Sequence, residues 1–317
     1  MYADTVVSDA LIRKPRFVAA LFAAAFAVFF LCNFSDTALG RAFSGGEAGG
    51  VFARTASAFL LAFLFSANLV LVSFLPVRRQ IAVIWLQLAA LFLGFFWVFD
   101  LSAAFIQSKL WFLISRGLTT TLYVSAIAIS IAFVIAMAGA VAKLSGNGFA
   151  VAIASFYTSF FRGLPLLMQV YLIYLGLPQI GFVVGAIPAG IAALSLCYGA
   201  YMTEIFRAGI ESIPKGQWEA SRAVGLRFGA VMRRIILPQA APVIIPPTGN
   251  QFIAMLKDSS LVSVIGVWEL MFLSRTLGTK TFQHMEMLIT VAVIYWLLTM
   301  ILEAVQARIE EYYRRRR

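Results

Sequence analysis

Residues 117–141 read GLTTTLYVSAIAISIAFVIAMAGAV, and this stretch decides the fold. No Asp, Glu, Lys, Arg or His interrupts its 25 residues. A membrane-crossing helix needs ~20 mostly apolar residues, because the hydrocarbon core is ~30 Å thick and each helical residue rises ~1.5 Å. An open sheet would leave its edge amides unpaired in lipid, so the run is a helix. Seven further apolar runs flank it, at 17–34, 53–75, 81–101, 150–175, 183–205, 240–267 and 287–305. The expected fold is an all-α polytopic transmembrane bundle of about eight spans. Composition agrees: 62% of the chain is hydrophobic and 12% charged, where a soluble domain is about half apolar and a quarter charged.

Two runs are irregular. The run 150–175 contains Arg162 and Pro165, which fits an interfacial segment turning into a span at 164–175, since proline suits a helix start and breaks its interior. The run 240–267 is interrupted by Lys257-Asp258-Ser259-Ser260. The first run follows Arg13, Lys14 and Arg16 as a signal peptide would, but no small-residue cleavage site follows Cys32, so it reads as a retained span. The glycine-rich stretch 40–50 reads as a flexible loop. Cys32 and Cys197 both fall inside apolar runs and read as buried free thiols, with no disulfide framework. His284 has no cluster at metal-ligand spacing.

The net charge of +11 does not indicate nucleic acid. The basic residues sit in short clusters between apolar runs, the pattern that fixes membrane orientation. Between 207 and 234, Arg207, Lys215, Arg222, Arg227, Arg233 and Arg234 oppose only Glu211 and Glu219. With eight spans, both termini, the Arg78-Arg79 turn, the Lys143 turn and this loop share one side, which the positive-inside rule makes the cytoplasm. The opposite connections are nearly neutral: Asp36 and Glu47 balance Arg41 and Arg54, and Glu269 and Glu286 balance Arg275 and Lys280. The chain therefore reads as a multi-pass protein with both termini cytoplasmic.

The connection 207–238 is long for a bundle, where two to eight residues are usual. Ser212 and Pro214 suit a helix start, Gln217 to Val224 are good helix formers, and Gly225 reads as the stop. The product is a short surface helix presenting Glu219 and Arg222 among the small residues Ala220, Ser221 and Ala223. Glu219 and Arg222, three apart, can bond each other or a partner. Residues 226–236 form a basic amphipathic segment suited to anionic headgroups, and Leu237-Pro238 then redirects the chain into the next span. Pattern alone permits a solvated interfacial helix with snorkelling arginines.

The spacing adds a resemblance. Glu219-Ala220-Ser221, three residues, Gly225, nine residues, Ile235, one residue and Leu237-Pro238 resemble the EAA loop of ABC importer permeases. The likeness extends to Tyr198 to Glu204, Arg207 to Ile210, Ser212 to Gln217, Leu237 to Ala240, and Leu256 to Leu261 with Glu269-Leu270; upstream, Phe161 to Leu167 and Gly117 to Leu122 also fit. The chain resembles the polar amino acid branch of these permeases, the His/Glu/Gln/Arg/opine type. Ser221 replaces the second alanine of the triplet, and Ser259 stands where threonine is common. The first three spans are absent from the basic five-span permease. The resemblance implies a type I ABC importer permease core at 111–317, with its cytoplasmic coupling loop at 207–238, behind an N-terminal extension of three transmembrane helices at 1–110. It implies a bacterial inner-membrane subunit that forms the translocation path for a polar amino acid or related compound. It also implies contact with separate ATPase subunits through Gln217, Glu219, Ala220, Ser221, Arg222, Gly225, Leu237 and Pro238.

The implied partners are two cytoplasmic ABC ATPase subunits, a second permease subunit in a homo- or heterodimer, an extracytoplasmic amino-acid-binding protein, and membrane lipid. The chain is expected to bind no cofactor and to be no enzyme. It lacks the G-x-x-x-x-G-K-[ST] phosphate loop, and Gly278-Thr279-Lys280-Thr281 has the wrong spacing. ATP and Mg therefore belong to the partner ATPase.

Intramembrane polar residues are costly and so mark candidate function. The break at Lys257, Asp258, Ser259 and Ser260 is the foremost substrate-path candidate, because a helix restarting after it would offer amide donors to a carboxylate. The competing reading is a structural Lys257–Asp258 pair with Ser259 as a cap. Gln169 and Glu204 are weaker candidates, since Arg207 stands one turn beyond Glu204 and suits a local ion pair. An ion-gradient-driven secondary transporter of small polar solutes is the alternative function. It predicts inverted repeats and charges in several spans, and the sequence displays neither. A membrane-embedded enzyme would need a ligand or nucleophile cluster that one histidine does not supply.

Overall fold

The computed structural model describes residues 11–32, 51–98 and 101–314. The glycine-rich stretch 40–50 and the last three arginines lie outside the described residues. The chain forms two compact units, Met1–Leu101 and Ser102–Arg317.

The first unit contains α1 (Pro15–Leu31), α2 (Val51–Ser73) and α3 (Val77–Val98). The inner face of α2 is small and weakly polar: Ser57, Ala58, Ala62, Ser66, Val72 and Ser73 are buried. Small side chains let two helices approach closely where lipid supplies no hydrophobic drive. At each end of this pair an arginine satisfies the last carbonyls of the neighbouring helix. Arg54 donates to Phe30 O at 2.6 Å, and Arg13 donates to Ser73. Helix α3 is tied to α2 by two reciprocal amide bonds, Asn68 Nδ2 to Gln87 Oε1 at 3.0 Å and Gln87 Nε2 to Asn68 Oδ1 at 2.9 Å.

The second unit contains α4 (Ala103–Leu144), α5 (Gly148–Gly163), α6 (Leu166–Ile180), α7 (Ala186–Glu211), α8 (Lys215–Ala223), α9 (Phe228–Ile265), α10 (Leu270–Thr281) and α11 (His284–Arg314). Its core is the α4–α7 seam. Val124, Ala128, Ala132, Ala136 and Ala140, four apart along α4, are all buried and so form one stripe of the helix. They face Ala189, Ala193 and Cys197 of α7. The approach is close enough that a Cβ on Gly139 would sit 2.7 Å from Thr203 Oγ1. Ser195 Oγ also donates to the Ala128 carbonyl at 3.2 Å. A second cluster, Leu113, Leu270, Leu273, Met287 and Val291, fastens α10 and α11 to the start of α4.

Among the described residues six helices are long and apolar enough to cross a membrane, and a seventh crossing appears if the bent pair α5–α6 is one span. The sequence expectation was eight. Among the described residues the first run forms the 17-residue α1, shorter than the ~20 needed for a full crossing, and the end of that run lies outside the described residues. The run 150–175 turns where expected, with α5 and α6 meeting at 107° around Leu164-Pro165. The expected redirection at Leu237-Pro238 does not occur. The helix runs through it as α9, because a π turn over Met232–Ile236 precedes the proline and the Leu237 amide bonds the Met232 carbonyl five residues back. In that shifted register proline's missing N–H falls where the ladder is already interrupted. Cys32 also departs from expectation. It is exposed at the end of α1, while Cys197 is buried; both are free.

Candidate functional site

The bend between α5 and α6 and the facing sides of α7 and α9 enclose a cavity of about 440 Å³. Its lining includes Arg162 and the 163–166 bend, Cys197, Tyr198 and Tyr201 from α7, and Gln251 and Asp258 from α9. Two opposite charges therefore face one space. Asp258 is half-buried, and its Oδ2 accepts the Tyr198 hydroxyl at 2.7 Å. The Arg162 guanidinium lies over the Tyr201 ring, 5.3 Å from its centre, an orientation that a cation and an aromatic face favour. The backbone breaks at Leu164-Pro165 because Pro165 has no amide to donate. Gln169 then holds the break shut, its Nε2 donating to the carbonyls of Phe161 at 2.8 Å and Leu164 at 2.9 Å.

Of the six sequence-selected path residues, only Asp258 lines this cavity. Lys257 is exposed, and among the described residues no ion pair joins it to Asp258. Ser259 is buried at the C-cap of the α-helical stretch, where its hydroxyl donates to the Leu256 carbonyl at 2.7 Å. Ser260 is half-buried beside it. The expected interruption is a change of pitch: α-helix to Asp258, then a 3-10 turn over Ser259–Ile265 that ends at the left-handed Gly266. The helix restart comes at Leu270, and its amides are already occupied. Glu269 accepts from Phe272 N at 2.7 Å and Met271 N at 2.8 Å. Tyr295 donates its hydroxyl to the same carboxyl at 2.9 Å. Glu269 is fully buried, and burial pushes its carboxyl up to about 7 against the lowering pull of these three bonds. It does not act as the exposed counter-charge that the loop tally assumed. Glu204 is remote from the cavity lining and joins a chain of charges: it accepts from Lys143 and, at 2.9 Å, from Arg207, which reaches Glu211 at 2.6 Å.

The second candidate element is α8. Pro214 precedes it, and its end is closed in the way Gly225 permits. Gly225 adopts φ +75°, its amide bonds Arg222 O at 2.9 Å, and Leu226 N bonds Ser221 O at 3.2 Å, the left-handed stop that glycine adopts without a Cβ penalty. Ser221 is buried, Trp218 packs on the core, and Gln217, Glu219, Ala220 and Arg222 are exposed. Glu219 and Arg222 form no ion pair with each other among the described residues. Gln239 joins α8 to α9, donating to Gln217 Oε1 at 3.2 Å. Leu237 is half-buried and Pro238 exposed on the same stretch of α9. The structure thus gathers the sequence-selected loop residues between α7 and α9, exposed except for Ser221 and Leu237, apart from the cavity residues.

Residues 132–315 match the family described as binding-protein-dependent transport system inner membrane component. The chain belongs to this family. It is 38% identical over 198 residues to the arginine transport system permease protein ArtQ of Bacillus subtilis, covering 62% of this chain and 90% of that one. It is 37% identical to the L-cystine transport system permease protein TcyB of the same organism, covering 65% and 88%. Among solved structures, an amino acid ABC transporter described with histidines has a TM-score of 0.62 and 34% identity, over 67% of this chain and 99% of that one. An inward-facing MetNI methionine ABC transporter, 22% identical with a TM-score of 0.56 over 65% and 98%, shares the fold. The chain is a permease subunit of an ABC importer, a multi-span membrane component that works with ATPase and binding-protein partners. The family match lies entirely within the second unit.

Sequence reading missed Tyr198, Tyr201 and Gln251 and treated Arg162 only as an interfacial residue. Arg162 carried a usable signal, since an arginine beside a proline inside an apolar run marks a polar pathway by default. Tyr198 and Tyr201 carried none, because only the packing of α7 against α9 and α5 sets them against Asp258 and Arg162.

Proposed function

We propose that this permease carries a polar, zwitterionic amino acid across the bacterial inner membrane, and that the Arg162–Asp258 cavity holds it in passage. The supporting observation is the presence of one guanidinium and one carboxylate on a single cavity of amino-acid size. Arg162 can bind an α-carboxylate through two parallel N–H donors, and Asp258 can accept from an α-ammonium. The Tyr198 hydroxyl fixes the Asp258 carboxylate, and Tyr201 supports the Arg162 plane. The relatives named for arginine and cystine transport agree with this class.

In this reading the translocation machinery is residues 111–317, residues 1–110 are an added extension, and both termini are cytoplasmic. Helix α8 docks into a cytoplasmic ATPase through Gln217, Glu219, Ala220, Ser221 and Arg222, with Gly225, Leu237 and Pro238 shaping its exit. Two such permeases, alike or different, pair over two ATPases and receive substrate from an extracytoplasmic binding protein. ATP-driven closure draws the two docking helices together and alternates access to the cavity.

The test is purification in mild detergent followed by reconstitution. Co-purification of a nucleotide-binding subunit, and uptake that requires ATP and a binding protein, are expected. Purification without that subunit, with uptake driven by an ion gradient alone, refutes the coupling and favours a secondary transporter.

A further inference from the structure

The first unit lies outside the family match and takes no part in the site above. Its charge is one-sided. Among its described residues there is no Asp or Glu, while Arg13, Lys14, Arg16, Arg54, Arg78 and Arg79 are cationic. Five of the six belong to one end of the unit. Arg13 donates Nε to Ser73 Oγ at 3.2 Å and also to the Ser73 carbonyl, with its guanidinium 4.4 Å from the Phe74 ring centre. Gln80 Nε2 reaches the same Ser73 carbonyl at 3.3 Å and Leu75 O at 2.8 Å. These bonds bring the Arg13-Lys14-Arg16 segment and the Arg78-Arg79 turn to one point. They also cover the carbonyls that end α2, whose partial negative charge would otherwise offset the cations. Two helix starts remain there, α1 at Pro15 and α3 at Val77, and Lys14 supplies no side-chain cap to the first. Lys14, Arg16 and Arg79 are exposed. Even with Asp4 and Asp9, which precede the described residues, this end keeps three positive charges in excess.

We propose that this end of the N-terminal unit is a binding site for an anionic phospholipid, whose phosphate is held by Lys14, Arg16 and Arg79 at the paired helix starts. Phosphate matches the chemistry, because clustered lysine and arginine side chains near a membrane surface favour an anionic headgroup. The ligand is a lipid and not free phosphate because the flanking surface is apolar. Phe17, which follows Arg16 in sequence, Leu71, and Phe74 under the Arg13 guanidinium are exposed and offer a bed for acyl chains. The extension then gives the importer a fixed lipid contact that a five-span core lacks.

Native mass spectrometry of the full chain, titrated with phosphatidylglycerol or phosphatidylcholine, tests this. Wild type is expected to retain phosphatidylglycerol adducts and to shed phosphatidylcholine. Lys14→Gln/Arg16→Gln/Arg79→Gln should lose at least one phosphatidylglycerol adduct, with apparent affinity for it down roughly a hundredfold, about fivefold for each basic residue near an anionic surface. The charge-preserving Lys14→Arg/Arg16→Lys/Arg79→Lys should keep it, which separates lost charge from misfolding. An unchanged adduct count in the glutamine variant overturns the proposal. Displacement of the lipid by millimolar inorganic phosphate would also overturn it, since the site would then be a free-anion site.

Discussion

Asp258→Asn is the most informative perturbation, because it removes charge and little else. The asparagine carbonyl can still accept the Tyr198 hydroxyl now 2.7 Å from Oδ2, so the bridge between α7 and α9 survives. The cavity loses its carboxylate and keeps Arg162. An ammonium ~4 Å from a carboxylate gains about 4 kcal/mol at an effective dielectric of ~20. That is an upper bound for a half-buried carboxylate with water at the cavity mouth. About 1.5–3 kcal/mol is a fairer figure for a partly desolvated, charge-assisted contact, which corresponds to a ten- to hundredfold loss. The assay is uptake of a labelled amino acid into proteoliposomes holding the permease, its ATPase and excess loaded binding protein, with phosphate release followed in parallel. Uptake per ATP should fall by that factor while assembly with the ATPase is unchanged. Asp258→Ala, which also deletes the Tyr198 acceptor, should lower thermal stability as well. Normal uptake by Asp258→Asn would refute the charge-reading cavity and leave Asp258 as an α7–α9 strut.

Three further outcomes follow from other parts of the second unit. Glu219→Lys reverses an exposed charge on α8 and should leave membrane insertion intact while weakening ATPase stimulation by loaded binding protein; unchanged coupling removes Glu219 from the interface. Gly209→Ala places a Cβ 2.3 Å from Ile244 Cγ1, and such overpacking costs about 1–3 kcal/mol. Its melting temperature in detergent should drop, and Ile244→Val in the same chain should restore part of it; an unshifted melt would mean that α7 and α9 part easily. Glu269, pushed up to about 7 from an ordinary 4.5, binds a proton in the folded state that the unfolded chain has already released. Stability should therefore fall as pH rises from about 4.5 to 7, by up to about 3 kcal/mol, and Glu269→Gln should flatten that slope. An identical pH dependence in the variant would show that the buried carboxyl is not its source.

The readable parts of this chain were those governed by local rules. Apolar length gave the spans, because a run longer than the crossing threshold has no other stable form in lipid. Gly225 and the 164–165 bend were legible because a left-handed stop and a missing amide are properties of single residues. Two misreadings share a different cause. Lys257–Asp258 looked like a pair because the two are adjacent, yet neighbours on a helix point about 100° apart. Tyr198, sixty residues away in sequence, is the true partner. Glu269 looked like a loop charge because it follows the end of the apolar run 240–267, but it is buried under Tyr295, also remote in sequence. The α4 stripe of Val124 and four alanines was written in the sequence at a spacing of four. Within an unbroken apolar run that spacing did not separate the lipid face from the protein face.

The positions of the two functional elements on the same helices have a mechanical consequence. Helix α8 hangs between the end of α7 and the start of α9, and each of those helices carries one partner of the Tyr198–Asp258 bond. From Tyr198 to Glu211 is about 20 Å of continuous helix at ~1.5 Å per residue, so displacement at the loop reaches the cavity wall without passing through a hinge on the α7 side. Lys143, Glu204, Arg207 and Glu211 lock α4 to the same end of α7, and the α4 stripe does so along its length. On the proposed coupling, α4 and α7 therefore move as one body, and the flexible term lies in α9. There a π turn at Met232–Ile236, three interior prolines (Pro242, Pro246 and Pro247) and the change of pitch after Asp258 all weaken the ladder. Helix α9 can bend while α7 translates, which changes the distance between Asp258 and Arg162 when α8 is pulled. Crosslinking α8 to α9 through cysteines at Gln217 and Gln239, whose amides already meet at 3.2 Å, should block transport relative to the same double-cysteine variant kept reduced. Full uptake with that crosslink in place would show that the two helices need not separate during the cycle.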